Sequence, residues 1–260
     1  LEEAGPGGTL EGPFRYEEVC EELEEDCIPV PRFGIPQGKK VRMIDDASLY
    51  LQNATVTRKF KLTLGGLDQL VAVARAWLAA VGGDRVVRVK LPDGRVLEGP
   101  LHPEWTVQEA KKLLGRLLDL LNAYKQLASR PDEAYATVVA AVDPDTGEVC
   151  YFIAATLLFG ETGAVYGFNR VSKLLEKLAT RLAEVVCTSY FDDFSQLETE
   201  ALAESAETTL KQMLTVLGFE AATTESKDKP FSTSFDPLGV RLDLTKAGEG
   251  VIRLEPKPSR

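Results

Sequence analysis

The chain has 260 residues, 44% apolar and 27% charged, the balance of a globular protein with one large domain or two closely packed ones. Forty acidic residues against 30 basic ones give a net charge of −10. That argues against a self-sufficient nucleic-acid binder, because phosphate neutralisation by Lys and Arg supplies most non-specific affinity. No apolar run approaches the roughly 18 residues of a membrane span, and Leu1-Glu2-Glu3 does not open a signal peptide, so an intracellular protein, nuclear or cytoplasmic and not secreted, is expected.

Residues 1–26 are rich in Gly and Glu and read as a ragged extension with one short helix over 16–25. Pro29, Pro31 and Pro36 punctuate an extended stretch over 27–37. Residues 39–46 then alternate basic and apolar side chains, as a half-buried strand should. Leu67, Leu70, Val71, Ala74, Trp77, Leu78 and Val81 recur at helical spacing before Gly82-Gly83. Residues 86–97 form a hairpin about Pro92-Asp93-Gly94. The capping box Thr106-Val107-Gln108-Glu109 starts a helix expected to end near Gly115.

A brief apolar run, Leu117-Leu118-Asp119-Leu120, carries one acid. A second hairpin follows, over 135–142 and 148–154; its turn opens like a calcium loop, but the twelfth position falls on Ala154. An amphipathic helix is expected over 163–184, with Phe168, Val171, Leu175, Leu178 and Leu182 on one face. A helix ending at Leu217-Gly218 buries Ala206, Leu210, Met213, Leu214 and Leu217. Residues 231–244 read as strand, Pro-Leu-Gly turn and strand. The class is α+β, helices packed on an antiparallel sheet. Cys20, Cys27, Cys150 and Cys187 have no C-x-x-C spacing and His102 is the single histidine, so free thiols are expected rather than a zinc site.

Between those last two helices, Val185 and Val186 lead into Thr188-Ser189-Tyr190-Phe191-Asp192-Asp193-Phe194, a tight hairpin with two adjacent carboxylates at its tip. Adjacent like charges repel, so the tip is either a solvated acidic turn or a site for a multivalent cation. Asp119 is the natural third ligand, since two-ion phosphoryl transfer needs carboxylates from separate strands at one point. An acid inside an apolar strand sits at the strand end, holds a cation, or caps the turn over 122–126.

Tyr190-Phe191-Asp192-Asp193 resembles motif C of the reverse transcriptase palm. Asp119, with the aromatic Tyr124 five positions on, is similar to motif A, and Leu158-Phe159-Gly160 before Phe168-Asn169-Arg170 to motif B. Lys227 with Phe231 and Leu238-Gly239 resembles motif D and the turn after it. Lys40-Val41-Arg42 with Asp46 and Asn53 resembles the fingers strand. The resemblance implies right-hand polymerase fingers and palm without a thumb: an extension over 1–26, fingers over 27–105, palm over 106–245 and a tail over 246–260.

It implies an RNA-directed DNA polymerase core of a retroelement, with Asp119, Asp192 and Asp193 holding Mg²⁺ or Mn²⁺. Lys40 and Arg42 would grip the triphosphate, Tyr124 would lie under the sugar, Gln126 would support the site, and Gly160 would let the template approach the backbone. Lys227 would serve as a proton donor near the leaving pyrophosphate. Partners would be an RNA or DNA template with its primer, deoxynucleoside triphosphates, and thumb or nuclease segments outside this chain. Leu158, Glu161 and Leu121 depart from the family pattern, and Glu161 sets a negative charge where a nucleic-acid strand should pass. The alternative is a reverse-transcriptase-like module kept for binding.

Overall fold

The computed structural model describes Ala4 and residues 8–38, 40–57, 61–224 and 227–257. In chain order the elements are β1 (Leu10–Phe14), α1 (Tyr16–Leu23), β2 (Val30–Gln37), β3 (Lys40–Asp45), α2 (Gln52–Thr55), α3 (Leu67–Ala80), β4 (Val86–Lys90), β5 (Val96–Pro100), α4 (Val107–Ala110), β6 (Leu113–Asp119), β7 (Val138–Val142), β8 (Val149–Ala154), α5 (Thr162–Arg181), β9 (Cys187–Tyr190), β10 (Asp193–Thr199), α6 (Ala203–Val216), β11 (Ser234–Phe235), β12 (Val240–Asp243) and β13 (Arg253–Pro256). The architecture is mixed α+β. The chain forms two compact units, each of two segments: 1–62 with 122–171, and 63–121 with 172–260.

The first unit is a five-stranded sheet in the order β1-β8-β7-β2-β3. Its pairs are antiparallel except β2 with β7, which run parallel through Val30 and Val139. Leu10, Val30, Val139, Phe152, Ala154 and Leu158 are buried together as its core. The alternation in 39–46 does form β3, although Lys39 lies outside the described residues. The expected half-buried apolar face does not follow: Val41 is 64% and Met43 47% exposed, and Asp45 is the buried residue. β1 corrects the ragged reading of the N-terminus: Leu10 and Glu11 pair with Ala154 and Ile153, so the sheet supplies an order that local composition does not encode.

The second unit holds a three-stranded sheet in the order β6-β10-β9, the sheet β11-β12-β13, and the hairpin β4-β5. Leu70, Ala74 and Leu78 of α3 pack with Leu113, Leu197, Phe235 and Leu242. The capping box is real, with Thr106 Oγ1 accepting from Glu109 N–H at 3.1 Å. The helix it starts stops after one turn at Ala110, and β6 begins at Leu113. Full-length pairing with β10, from Leu113–Thr199 to Asp119–Asp193, overrides the cap. Two further helix-face expectations need correction. Leu182 lies beyond the end of α5 and is 77% exposed, and Leu217, just past α6, is 43% exposed. β13, unsignalled in the sequence, pairs with β12.

Gly115 sits where β6 meets β11. A Cβ there would stand 2.0 Å from the Phe235 ring. Gly115→Ala is therefore expected to destabilise the protein by about 1–3 kcal/mol through overpacking; an unchanged melting temperature would contradict this packing.

Candidate active site

The carboxylate site is built by β6, β9 and β10 in the second unit. β9 and β10 are joined by Phe191 and Asp192, with Tyr190 and Asp193 as the closing pair. Phe191 adopts φ +52°, a left-handed conformation costly for a bulky side chain. The turn is held from α5: Ser172 Oγ donates to Phe191 O at 2.6 Å, and Glu176 Oε2 accepts from Ser189 N–H and Oγ–H, both at 2.7 Å. Lys173 Nζ donates to the same Glu176 oxygen at 2.6 Å.

This hairpin delivers two carboxylates to the end of β6. Asp193 lies directly opposite Asp119 in the antiparallel ladder, so both side chains share one face. Leu120 N–H donates to Asp192 O at 3.3 Å, which ties the turn to the end of β6. The strand pairing thus sets residues 119 and 193, about 70 positions apart in sequence, side by side, with residue 192 next to them in the turn. Lys227 Nζ forms an ion pair with Asp119 Oδ2.

The electrostatics follow from this crowding. Burial, then the Asp192 and Asp119 charges, push the Asp193 carboxyl up to about 6. Burial and Asp119 also raise Asp192, against the pull of Lys227. Lys227 is raised in turn, first by its hydrogen bond to Asp119. Among the described residues no three His, Cys, Asp or Glu side chains stand close enough to hold a metal ion as placed. The three carboxyl groups offer oxygen donors only, a concentration of acidic groups that Lys227 offsets in part.

A second group belongs to the first unit. The Arg42 guanidinium lies 4.6 Å over the Phe159 ring centroid. Tyr124 meets Phe159 edge-on at 5.7 Å and stacks on Phe168 at 4.8 Å. Gly160 has φ +124°, and a Cβ on it would come within 2.0 Å of Asp45 O, so close backbone approach there is a property of the fold itself. Asn53 braces this segment, donating from Nδ2 to Gly160 O at 3.0 Å and accepting from Thr162 N–H at 2.6 Å. Gln126 ends the 3₁₀ turn Ala123–Gln126. Lys40 opens β3, and its side chain lies outside what the structure describes.

Glu161, an unfavourable charge on the sequence alone, has a carboxyl pushed up to about 7 by burial, then by Asp45 and Glu133. It is therefore about half protonated near neutrality. A folded-state pKa above the unfolded one means stability present at low pH and lost as pH rises from the usual Glu range through about 7. Glu161→Gln should therefore stabilise the protein at pH 8 by up to about 3 kcal/mol and have little effect at pH 4. Equal melting shifts at both pH values would refute this.

Sequence reading missed Arg116. It is fully buried in β6 and bound to Glu207 and Asp228, and a charge inside the run Leu113-Leu114-Gly115-Arg116-Leu117-Leu118 was its signal.

No family model matches the chain, and no curated protein matches its sequence. Among solved structures it is similar to a foamy viral protease–reverse transcriptase determined in complex with double-stranded DNA, with a TM-score of 0.53 and 14% sequence identity. The match covers 91% of this chain and 36% of that one, so the chain spans about a third of that polypeptide. No helix among the described residues is long and apolar enough to cross a membrane. The likeness is one of fold alone, a mixed α+β architecture.

Proposed function

We propose that the chain is the fingers and palm of an RNA-directed DNA polymerase, transferring nucleotides to a primer 3′ end at Asp119, Asp192 and Asp193. The observation that carries the reading is the pairing of Asp119 opposite Asp193, beside Asp192 and Lys227. A fold kept only for binding gains nothing from like charges set directly opposite each other, which destabilise a sheet.

Asp119, Asp192 and Asp193 would hold Mg²⁺ or Mn²⁺, which when bound neutralises charge on the transferring phosphoryl group. Asp192 and Asp193 orient the incoming groups and are themselves drawn to the charged form by a cation. Lys227 holds a proton beside Asp119, as a donor to a leaving pyrophosphate must. Arg42, held flat on Phe159, is a fixed cation suited to a triphosphate. Lys40 would assist it, and Tyr124 would lie under the sugar with Gln126 in support, while Gly160 is the glycine that the close Asp45 carbonyl requires. Template, primer and deoxynucleoside triphosphates are the partners this chemistry needs, with a thumb or nuclease segment supplied from outside these residues.

The reading is tested by ligand-induced stabilisation. A deoxynucleoside triphosphate with Mg²⁺ should raise the melting temperature in proportion to the logarithm of its concentration above Kd. EDTA or Asp192→Asn should abolish the rise. Equal stabilisation of wild type and Asp192→Asn would sink the site assignment. The net charge of −10 favours a second reading, a non-catalytic binding module, which predicts no nucleotide-dependent shift at all.

A further inference from the structure

Lys227 and Asp228 straddle the outer strand of the carboxylate sheet. β6 is that sheet's edge, and the segment after α6 runs along it. Leu120 bridges to Ala221 and Gly115 to Ser232, with Ala222 N–H donating to Asp119 O at 2.8 Å. Between these attachments the Lys227 and Asp228 N–H groups both donate to Thr224 O at 2.8 Å. Lys227 then pairs with Asp119, while Asp228 pairs with Arg116, three residues earlier on the same strand. Strand positions an odd number apart point to opposite faces, so two consecutive charges grip the two faces of one strand.

The two grips are unequal. Lys227 is 52% exposed on a flexible stem. Arg116 has a fully buried side chain, with Nη2 2.8 Å from Asp228 Oδ1 and Nη1 3.0 Å from Glu207 Oε1. The Nη1 contact is an ion pair without hydrogen-bond alignment, and Nε has no hydrogen-bond partner among the described residues. Lys211 Nζ closes the cluster, 2.9 Å from Glu207 Oε1 and 2.8 Å from Asp228 Oδ2. A desolvated guanidinium holds its counter-charges tightly because losing one leaves a buried charge poorly compensated. The buried side therefore sets the loop's position, and the exposed side follows.

We propose that the Arg116–Asp228 ion pair is a positioning clamp that holds Lys227 against Asp119. Arg116 and Asp228 touch no reacting atom; they act through Lys227. The catalytic value of the clamp rests on the nucleotidyl transfer proposed above, whereas the clamp itself does not.

The test is an amine-acylation footprint read by mass spectrometry, with Lys229 as internal reference. Asp228→Asn, which keeps size and removes charge, should raise Lys227 acylation about threefold, the loss expected for a half-exposed ion pair. Asp228→Glu should restore protection. Asp119→Asn frees Lys227 directly, so adding Asp228→Asn to it should change nothing further. Where Asp228→Asn fails to fold, Arg116→Met with Asp228→Leu removes both charges together and should give the same exposure of Lys227. In primer extension, Asp228→Asn should lower kcat with KM for nucleotide unchanged, by no more than Lys227→Ala does. Unchanged Lys227 reactivity in a folded variant, or additive effects of the Asp119 and Asp228 changes, overturns the clamp. The expected footprint from a wild-type protein that incorporates no nucleotide upholds the clamp and overturns the reading of function.

Discussion

Asp192→Asn is expected to reduce nucleotide incorporation by about 10²–10³-fold, the loss typical of removing one preorganised electrostatic group, while leaving the protein at least as stable as wild type at pH 7.5. The two effects have one cause. Asp192 is raised by burial and by Asp119, and Asp193 is raised to about 6 by burial, then by Asp192 and Asp119. A folded-state pKa above the ordinary carboxylate value means that ionisation opposes folding as pH rises, so a neutral amide relieves the fold. Parallel melting curves and single-turnover extension check this. A variant that unfolds would show that Asp192 is a structural group. One that is stable and fully active would remove it from the site.

Tyr124→Ala should cost the largest amount of stability among the site residues, about 3 kcal/mol, at the low end for an aromatic truncation because Tyr124 is only half-buried. Its ring stacks on Phe168 and meets Phe159 edge-on, and Phe159 in turn carries Arg42. Losing the ring therefore loosens the support of the guanidinium as well. If Tyr124 also excludes a 2′-hydroxyl, the variant will accept ribonucleotides that wild type rejects, and Tyr124→Phe will keep both stability and selectivity. Primer extension with each nucleotide type, beside a melting curve, separates the roles. Loss of stability with unchanged sugar preference leaves Tyr124 as a packing residue.

Local patterns carried much of this structure. The apolar spacing of α3, the short β9–β10 hairpin and the Thr106 capping box are all encoded in short continuous segments and all form. Asp119 was legible because an acid in an apolar strand demands an explanation. The same reasoning applies with more force to Arg116, whose partners Glu207 and Asp228 lie about 90 and 112 positions away and leave no local mark. β1 and the early end of α4 are also long-range outcomes, decided by pairing with β8 and by the β6–β10 ladder. Nor does any linear pattern announce that each compact unit is assembled from two separated segments.

The most direct measurement is single-turnover incorporation of a deoxynucleotide into a primed RNA template, with Mg²⁺ or Mn²⁺, by wild type and Asp192→Asn at equal concentration. A carboxylate site formed by Asp119, Asp192 and Asp193 predicts metal-dependent extension by wild type and its loss in the variant. Equal extension by both proteins, or none by folded wild type with either ion, would contradict it.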